Sequence, residues 1–145
     1  MCNAIAESAR GTSAFFVTKL KSGIVAVSYF QLWEGYALLI AKNHVEHLGD
    51  LQRIPREDFL NDMATLGKAV KRAFNAERIN YAILGNEVSH LHAHVIPRFG
   101  AKDPIDPREP IWIVPKAQRE AQMHITSPSK LDELKRKLRH EITGH

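Results

Sequence analysis

The chain has 145 residues, of which 44% are apolar and 25% charged, a balance typical of one soluble globular domain whose core needs no disulfide or metal. No apolar run approaches the roughly 20 residues of a membrane-spanning helix, the first ten residues lack the basic segment of a secretory signal, and the single cysteine, Cys2, leaves no intrachain disulfide, so we expect a cytoplasmic protein without membrane contact. The net charge of +4 is too small to indicate nucleic-acid binding, because the basic residues near the C-terminus alternate with acids, as on a solvated helix face.

The first part of the chain predicts three strands. Residues 13–21 and 24–29 are rich in Phe, Val and Thr, and Ser22 and Gly23 between them are typical of a tight turn. Residues 36–42, YALLIAK, form a mostly apolar run that predicts a third, largely buried strand.

Two helices are predicted next. Asn43 can cap a short helix over residues 44–49, since Glu46 stands three residues later as in a capping box. A long helix is expected to begin at Pro55, which suits a first helical position. Its apolar residues recur every three or four positions and predict one buried face: Phe59, Met63, Leu66, Val70 and Phe74.

The remaining elements complete an α+β fold. Residues 79–84 and 91–99 predict strands that pair as an antiparallel hairpin, because only a short connection around Gly85, Asn86 and Glu87 separates them. Prolines crowd the segment after Gly100 and predict an extended tail on the surface. A last helix over residues 128–142 carries an apolar stripe that needs the sheet or a second subunit as its partner. We therefore expect an antiparallel sheet of about five strands, one long helix packed on it, and a C-terminal extension with a helix.

The stretch HLHAHVIPR places His90, His92 and His94 at two-residue spacing inside an apolar run. Alternate residues of a strand share a face, so the three rings are expected on one side and the apolar residues between them on the side that packs on the helix. Three interpretations remain open from the residues alone. The rings could be ordinary surface histidines, they could bind zinc, or they could divide a nucleophilic reaction at phosphorus among themselves.

GNEVSHLHAHVIPR resembles the signature of the histidine triad (HIT) family, and the resemblance extends over roughly residues 14–112, including GYALLIAKNH and INYAILGN. It looks closest to small bacterial members described as diadenosine polyphosphate hydrolase-like. The resemblance implies a HIT domain over residues 13–112, preceded by an N-terminal segment (1–12) and followed by an extension (113–145). It also implies a homodimer and a metal-independent, cofactor-free reaction with a small nucleotide, either hydrolysis or transfer, at the α-phosphate.

The same resemblance assigns expected roles to individual residues. His92 matches the nucleophile that would become nucleotidylated, His94 the ring that contacts phosphate or the leaving group, and His90 the residue that orients His92. Asn86 matches an amide side chain on the α-phosphate, and Gly85 in the same turn lets backbone amides approach an anion. A zinc-dependent hydrolase and a nucleotide-binding module without turnover are the alternative functions.

The sequence departs from the family pattern at two expected substrate-binding positions. Tyr36 stands where many members have a further active-site histidine, and its hydroxyl could hydrogen-bond a triad ring but could not become cationic. Ser28 falls near the position that usually holds Asp or Asn for the ribose hydroxyls. His44 matches a less directly catalytic histidine of the family.

Aromatic residues and one arginine have two interpretations each. Trp33, Trp112, Tyr29 and Phe30 could line a base-binding slot, although packing in the core or a dimer interface is the favoured interpretation. Arg98 could neutralise phosphate charge or form a surface ion pair with Asp103 or Glu109.

Overall fold

The computed structural model describes residues 13–121 and 127–144. They form a five-stranded antiparallel sheet in the order β1-β2-β3-β5-β4 with helices packed on it, which confirms the predicted α+β class. The strands are β1 Phe16–Lys19, β2 Gly23–Val27, β3 Ala37–Ala41, β4 Arg78–Ala82 and β5 His92–Arg98. Within the described part of the chain, no helix is long and apolar enough to cross a bilayer.

The α-helices of the described residues are α1 Arg53–Phe74, α2 Lys116–Ala121 and α3 Pro128–Thr143. Helix α1 begins at Arg53, two residues before the predicted start at Pro55. A proline is tolerated there because the first four N–H groups of a helix have no partner within the helix. The helix ends where Asn75 adopts a left-handed conformation with φ 54°, a common way to terminate a helix.

One face of the sheet packs against α1 and α3. Leu91, Ala93 and Val95, the apolar residues that alternate with the histidines, belong to this core. Leu134 and Leu138 of α3 are fully buried in the same core. The stripe on the last helix is therefore covered by this chain's own sheet and long helix.

The opposite face of the sheet carries a second core cluster, built from Trp33, Tyr36, Ile96, Ile111 and Val114. The prediction that the proline-rich segment lies on the surface as an extended tail is thus wrong at its far end. Proline restricts hydrogen bonding in a sheet but does not prevent neighbouring apolar residues from packing across one. Two 3₁₀ turns, Gly100–Lys102 and Ile111–Ile113, fold the segment back over the sheet.

A buried ion pair anchors this segment. Arg98 Nε donates to Asp103 Oδ2 at 2.9 Å, and the side chains are only 4% and 0% exposed. The guanidinium also donates to Asn80 Oδ1 and to the carbonyl oxygen of Glu109. Asp103 is the predicted partner of Arg98, but the pair is in the interior rather than on the surface, and Arg98 does not line the cavity described below.

Local predictions failed at two connections. Asn43 does not cap a helix over residues 44–49; the chain there forms a short 3₁₀ turn, Leu48–Asp50, in which the His47 amide donates to Asp50 Oδ2. The β4–β5 pairing is antiparallel as predicted, but it ends at Ala82 opposite His94, so residues 83–91 form a loop rather than a tight turn. His90 consequently precedes the strand that carries the other two histidines.

Candidate active site

A cavity of about 430 Å³ opens on the sheet face that carries the histidines. Leu38 and Ile40 of β3 pair with His94 and His92 of β5 and line the cavity beside them, as cross-strand partners share a face of the sheet. Its other walls include the aromatic side chains Tyr29, Phe30 and Trp112 and the cations Lys116 and Arg119 of α2. The cavity thus combines apolar walls with a few polar groups, which is typical of small-molecule sites.

A hydrogen bond defines which ring nitrogen of His92 carries the proton. Its Nδ1 lies 2.7 Å from the carbonyl oxygen of His90, and because a carbonyl only accepts, Nδ1 carries the proton. In the neutral ring Nε2 is then unprotonated, with its lone pair available to a substrate in the cavity. The orienting group is therefore the main chain of His90 rather than its ring.

His94 and Tyr36 form a close pair, with 2.6 Å between the Tyr36 hydroxyl and His94 Nδ1. Burial raises the pKa of the Tyr36 hydroxyl well above its usual range, an effect that nearby Arg119 offsets only in part. Burial, followed by the charges of His92 and Arg119, lowers the pKa of His94 to about 4. Tyr36 therefore keeps its proton and donates a hydrogen bond to His94 Nδ1, which leaves Nε2–H of the neutral His94 ring as a hydrogen-bond donor to a ligand.

A sharp turn fixes Tyr36 in this position. Gly35 has a φ of +95°, and a Cβ at Gly35 would meet the Phe74 ring, so no other residue fits there without rearrangement. The side chain of Gln31 bridges the turn, accepting from the Gly35 amide and donating to the Tyr36 carbonyl oxygen. Tyr36 itself is only 2% exposed.

The ring of His90 anchors the loop before β5. Its Nε2 donates to the carbonyl oxygen of Ala41 at 2.7 Å, so its Nδ1 accepts from Nδ1–H of His44 at 3.1 Å. The next residue is held too, since the Leu91 amide donates to the Val45 carbonyl and the Ala41 amide to the Leu91 carbonyl. These contacts aim the His90 carbonyl at His92.

The other expected substrate-binding residues differ in their positions. Asn86 and Ser28 line the cavity, whereas Gly85 does not. Gly85 does not have a positive φ, and a Cβ there would meet no atom within 4 Å, so nothing in the turn requires glycine. The Ser28 hydroxyl accepts from the Phe30 amide at 3.1 Å and retains its own proton for a ligand.

The sequence did not single out the cations of α2. Lys116 forms an ion pair of 2.7 Å with Glu87 in the β4–β5 loop. Arg119 donates through Nε to the carbonyl of Val114 and lies 5.5 Å and 5.8 Å from the ring centroids of Trp112 and Phe30. A sequence signal did exist, because two basic residues follow an apolar IWIV segment, but only the fold-back of that segment brings them to the histidines.

The four aromatic residues divide between core and cavity. Trp33 is fully buried and donates through Nε1 to Asp103, as the favoured core interpretation predicts. Trp112, Tyr29 and Phe30 line the cavity instead, and the Trp112 ring meets His94 edge-on with 5.4 Å between centroids. Among the residues the structure describes, no group of three or more His, Cys, Asp or Glu has an arrangement that could hold a metal ion.

The alternate histidines of this α+β domain line a cavity on its antiparallel sheet, and the candidate site is therefore a small-molecule site built around histidine. The family profile described as the HIT domain matches residues 11–101, and the chain belongs to this family. The matched range contains the three histidines, Tyr36 and Asn86 but excludes Trp112 and helix α2.

Named enzymes are among its relatives. The asymmetrical bis(5'-nucleosyl)-tetraphosphatase of Schizosaccharomyces pombe is 28% identical over 93 residues, covering 61% of this chain and 50% of that protein. A bis(5'-adenosyl)-triphosphatase of Saccharomyces cerevisiae is 30% identical over 98 residues, covering 60% of this chain and 48% of that protein. The chain thus spans about half the length of these curated relatives.

The whole fold also has solved counterparts. A hypothetical histidine triad nucleotide-binding protein from Sulfolobus tokodaii strain7 matches with a TM-score of 0.72 at 16% identity, over 99% of this chain and 93% of that one. At this identity the match establishes the fold alone. It includes the described C-terminal elements, which the family profile leaves out.

Proposed function

We propose that the chain is a nucleotide hydrolase that cleaves nucleoside polyphosphates or phosphoramidates at the α-phosphorus through a nucleotidyl-His92 intermediate. One observation carries the proposal: the His90 carbonyl accepts a hydrogen bond from Nδ1–H of His92, which leaves the unprotonated Nε2 as the nucleophile in the cavity. The relatives named as nucleotide phosphohydrolases support the same class of substrate. The reaction could also end in transfer, if an acceptor other than water took the nucleotidyl group.

The proposed reaction has two steps. In the first step Nε2 of His92 attacks phosphorus, the bond to the leaving group breaks, and the leaving group takes the electron pair. Nε2–H of His94 and the Asn86 amide donate to the phosphate oxygens as their negative charge grows. In the second step water attacks phosphorus, the P–N bond breaks, and its electron pair returns to Nε2. The nucleoside monophosphate leaves with the OH of the water, and the other proton passes to solvent.

The test is to replace His92 by Asn, which fills similar space but offers no nucleophilic nitrogen. Wild type incubated with a substrate labelled at the α-phosphate is expected to yield an acid-labile adduct on His92, and His92→Asn to form none and to lose about a thousandfold or more in kcat. His47→Asn, at an exposed histidine outside the cavity, serves as the matched control. An active His92→Asn variant would disprove the covalent mechanism.

Two further measurements separate the alternative functions. A zinc-dependent hydrolase would contain stoichiometric zinc and lose its activity to a chelator. A binding module without turnover would bind nucleotide, as measured by calorimetry, but release no monophosphate from either substrate class.

The assembly and cellular setting are proposals as well. We propose a cytoplasmic homodimer, and light scattering of the purified chain would reveal a monomer if this is wrong. Small nucleotides rather than nucleic acids are the proposed ligands, and a gel-shift assay with single- and double-stranded probes is expected to show no complex.

A further inference from the structure

The cavity offers a departing group no general acid from the triad. His94 is the ring beside His92, with 4.9 Å between ring centroids, but the Tyr36 hydroxyl already occupies its Nδ1. With its pKa lowered to about 4 by burial, His92 and Arg119, His94 is neutral at pH 7. It can donate a hydrogen bond through Nε2–H, yet it has no second proton to release.

The cavity offers a fixed positive charge instead. Arg119 lines it, and its charge is felt by both His94 and Tyr36, since it lowers both pKa values. Its Nε is engaged by the Val114 carbonyl, but among residues 13–121 and 127–144 the structure gives its two Nη nitrogens no hydrogen-bond partner. A guanidinium with two free donor groups binds phosphate oxygens well and stays charged at every working pH.

The helix that carries Arg119 is tied to the rim of the cavity. Lys116, one turn earlier, forms its 2.7 Å ion pair with Glu87, which follows Asn86 in the β4–β5 loop. The Trp112 and Phe30 rings flank the guanidinium at 5.5 Å and 5.8 Å and restrict where it can turn. Helix α2, which carries Arg119, is therefore tied to the loop that carries Asn86, and both side chains line the same cavity.

We propose that Arg119 is a specificity-determining residue that binds the departing anionic phosphate, so that the site prefers nucleoside polyphosphates to phosphoramidates. The proposal rests on the proposed hydrolase function and names its leaving group. When a polyphosphate is cleaved, the bridging oxygen keeps the electron pair of the broken P–O bond and departs as a phosphate anion, which needs no proton. When a phosphoramidate is cleaved, the amine nitrogen has to gain a proton as the P–N bond breaks, and the neutral His94 ring beside His92 has no second proton to release.

Two substrates isolate this step. Diadenosine triphosphate and adenosine 5'-phosphoramidate transfer the same adenylyl group to His92, so their ratio of kcat/KM reports only the leaving group. We expect wild type to favour the triphosphate by about a hundredfold or more in kcat/KM, because a general acid usually contributes a rate factor of at least that size.

The matched variants are Arg119→Gln, Arg119→Lys and Arg53→Gln, the last at an exposed arginine of α1 outside the cavity. Arg119→Gln is expected to lower kcat/KM for diadenosine triphosphate by about tenfold to a hundredfold and to change the phosphoramidate value by less than about threefold. Arg119→Lys should retain part of the triphosphate activity, and Arg53→Gln should match wild type. Thermal unfolding of each variant identifies any that fails to fold, in which case Arg119→Lys carries the comparison.

The outcomes are distinguishable. Equal losses on both substrates in folded Arg119→Gln would show a purely structural role and overturn the inference. A wild type that cleaves the phosphoramidate as fast as the triphosphate would also overturn it, but would leave the nucleotidyl-His92 mechanism standing. Failure to cleave either substrate would refute the proposed function and the inference together.

Discussion

Replacing Arg98 by Met tests whether a buried ion pair holds the proline-rich segment against the sheet. Methionine matches much of the length of arginine and suits an apolar environment, but it leaves Asp103 without a counter-charge. Asp103 would still accept from the Trp33 indole N–H and the Phe99 amide. The perturbation therefore isolates the charge of Arg98 together with its hydrogen bonds to Asn80 and the Glu109 carbonyl.

The expected loss is large because neither side chain is more than 4% exposed. Removing one partner of a buried pair typically costs about 3–5 kcal/mol, and for a chain of this size each kcal/mol lowers Tm by about 3 °C. We therefore expect Tm to fall by about 10–15 °C. The double variant Arg98→Met with Asp103→Asn removes the unpaired charge as well and should regain at least about 1 kcal/mol.

The pH dependence supplies a second measure. Burial pushes the pKa of Asp103 upward, but hydrogen bonds from Arg98, the Phe99 amide and Trp33 outweigh it and hold the pKa below its usual range. This stabilisation is present at neutral pH and is lost as pH falls through the lowered pKa. The Tm deficit of Arg98→Met should thus be largest near neutral pH and shrink in acid.

Thermal unfolding followed by circular dichroism measures these values. Arg108→Met is the control, because the Arg108–Asp106 pair has an arginine side chain that is 87% exposed and should contribute less than about 1 kcal/mol. A Tm loss for Arg98→Met no larger than that of Arg108→Met would refute the reasoning.

Three further predictions concern the cavity. Tyr36→Phe leaves His94 Nδ1 without its donor and is expected to cost about 1–3 kcal/mol of stability with a lower kcat; unchanged urea unfolding would contradict a stabilising Tyr36–His94 hydrogen bond. Trp112→Ala removes a cavity wall and should raise KM more than it lowers kcat, so steady-state kinetics with an unchanged KM would exclude Trp112 from substrate binding. The folded chain keeps His94 neutral down to about pH 4, whereas in the unfolded chain His94 takes up a proton below about pH 6.5. Stability should therefore fall by about 3 kcal/mol between these two pH values. A His94→Asn variant whose stability falls equally over the interval would rule this out.

Much of the fold could be predicted because its signals are local. The alternation around the histidines predicted which face of β5 meets the long helix, and the stripe on α1 predicted its buried side. The path of residues 100–121 could not be predicted in this way. It depends on Arg98 and Asp103 meeting in the interior and on Ile111 finding the far side of the sheet, contacts that no periodic pattern encodes.

The candidate site, like the fold, could be predicted from the sequence only in part. His92 and His94 lie together in the cavity, as their spacing predicts. The Tyr36 hydroxyl forms a hydrogen bond with one triad ring, that of His94, as expected. His90 lies just before the strand, as the predicted strand over residues 91–99 also implied, but the sequence did not predict that its main-chain carbonyl accepts from His92. Arg119 could not be recognised as a cavity residue from the sequence, because only the folded-back segment brings α2 to the cavity.

The carbonyl group of His90 makes one part of this site resistant to ordinary mutation. Every amino acid at position 90 would supply the same oxygen to His92, so substitution can shift that oxygen only indirectly, by loosening the anchoring ring. Alanine scanning would thus assign a structural role to position 90, because the carbonyl oxygen that selects the reactive nitrogen of His92 stays in place. Chemical synthesis with a thioamide or an ester at this one peptide unit is the change that alters the acceptor itself.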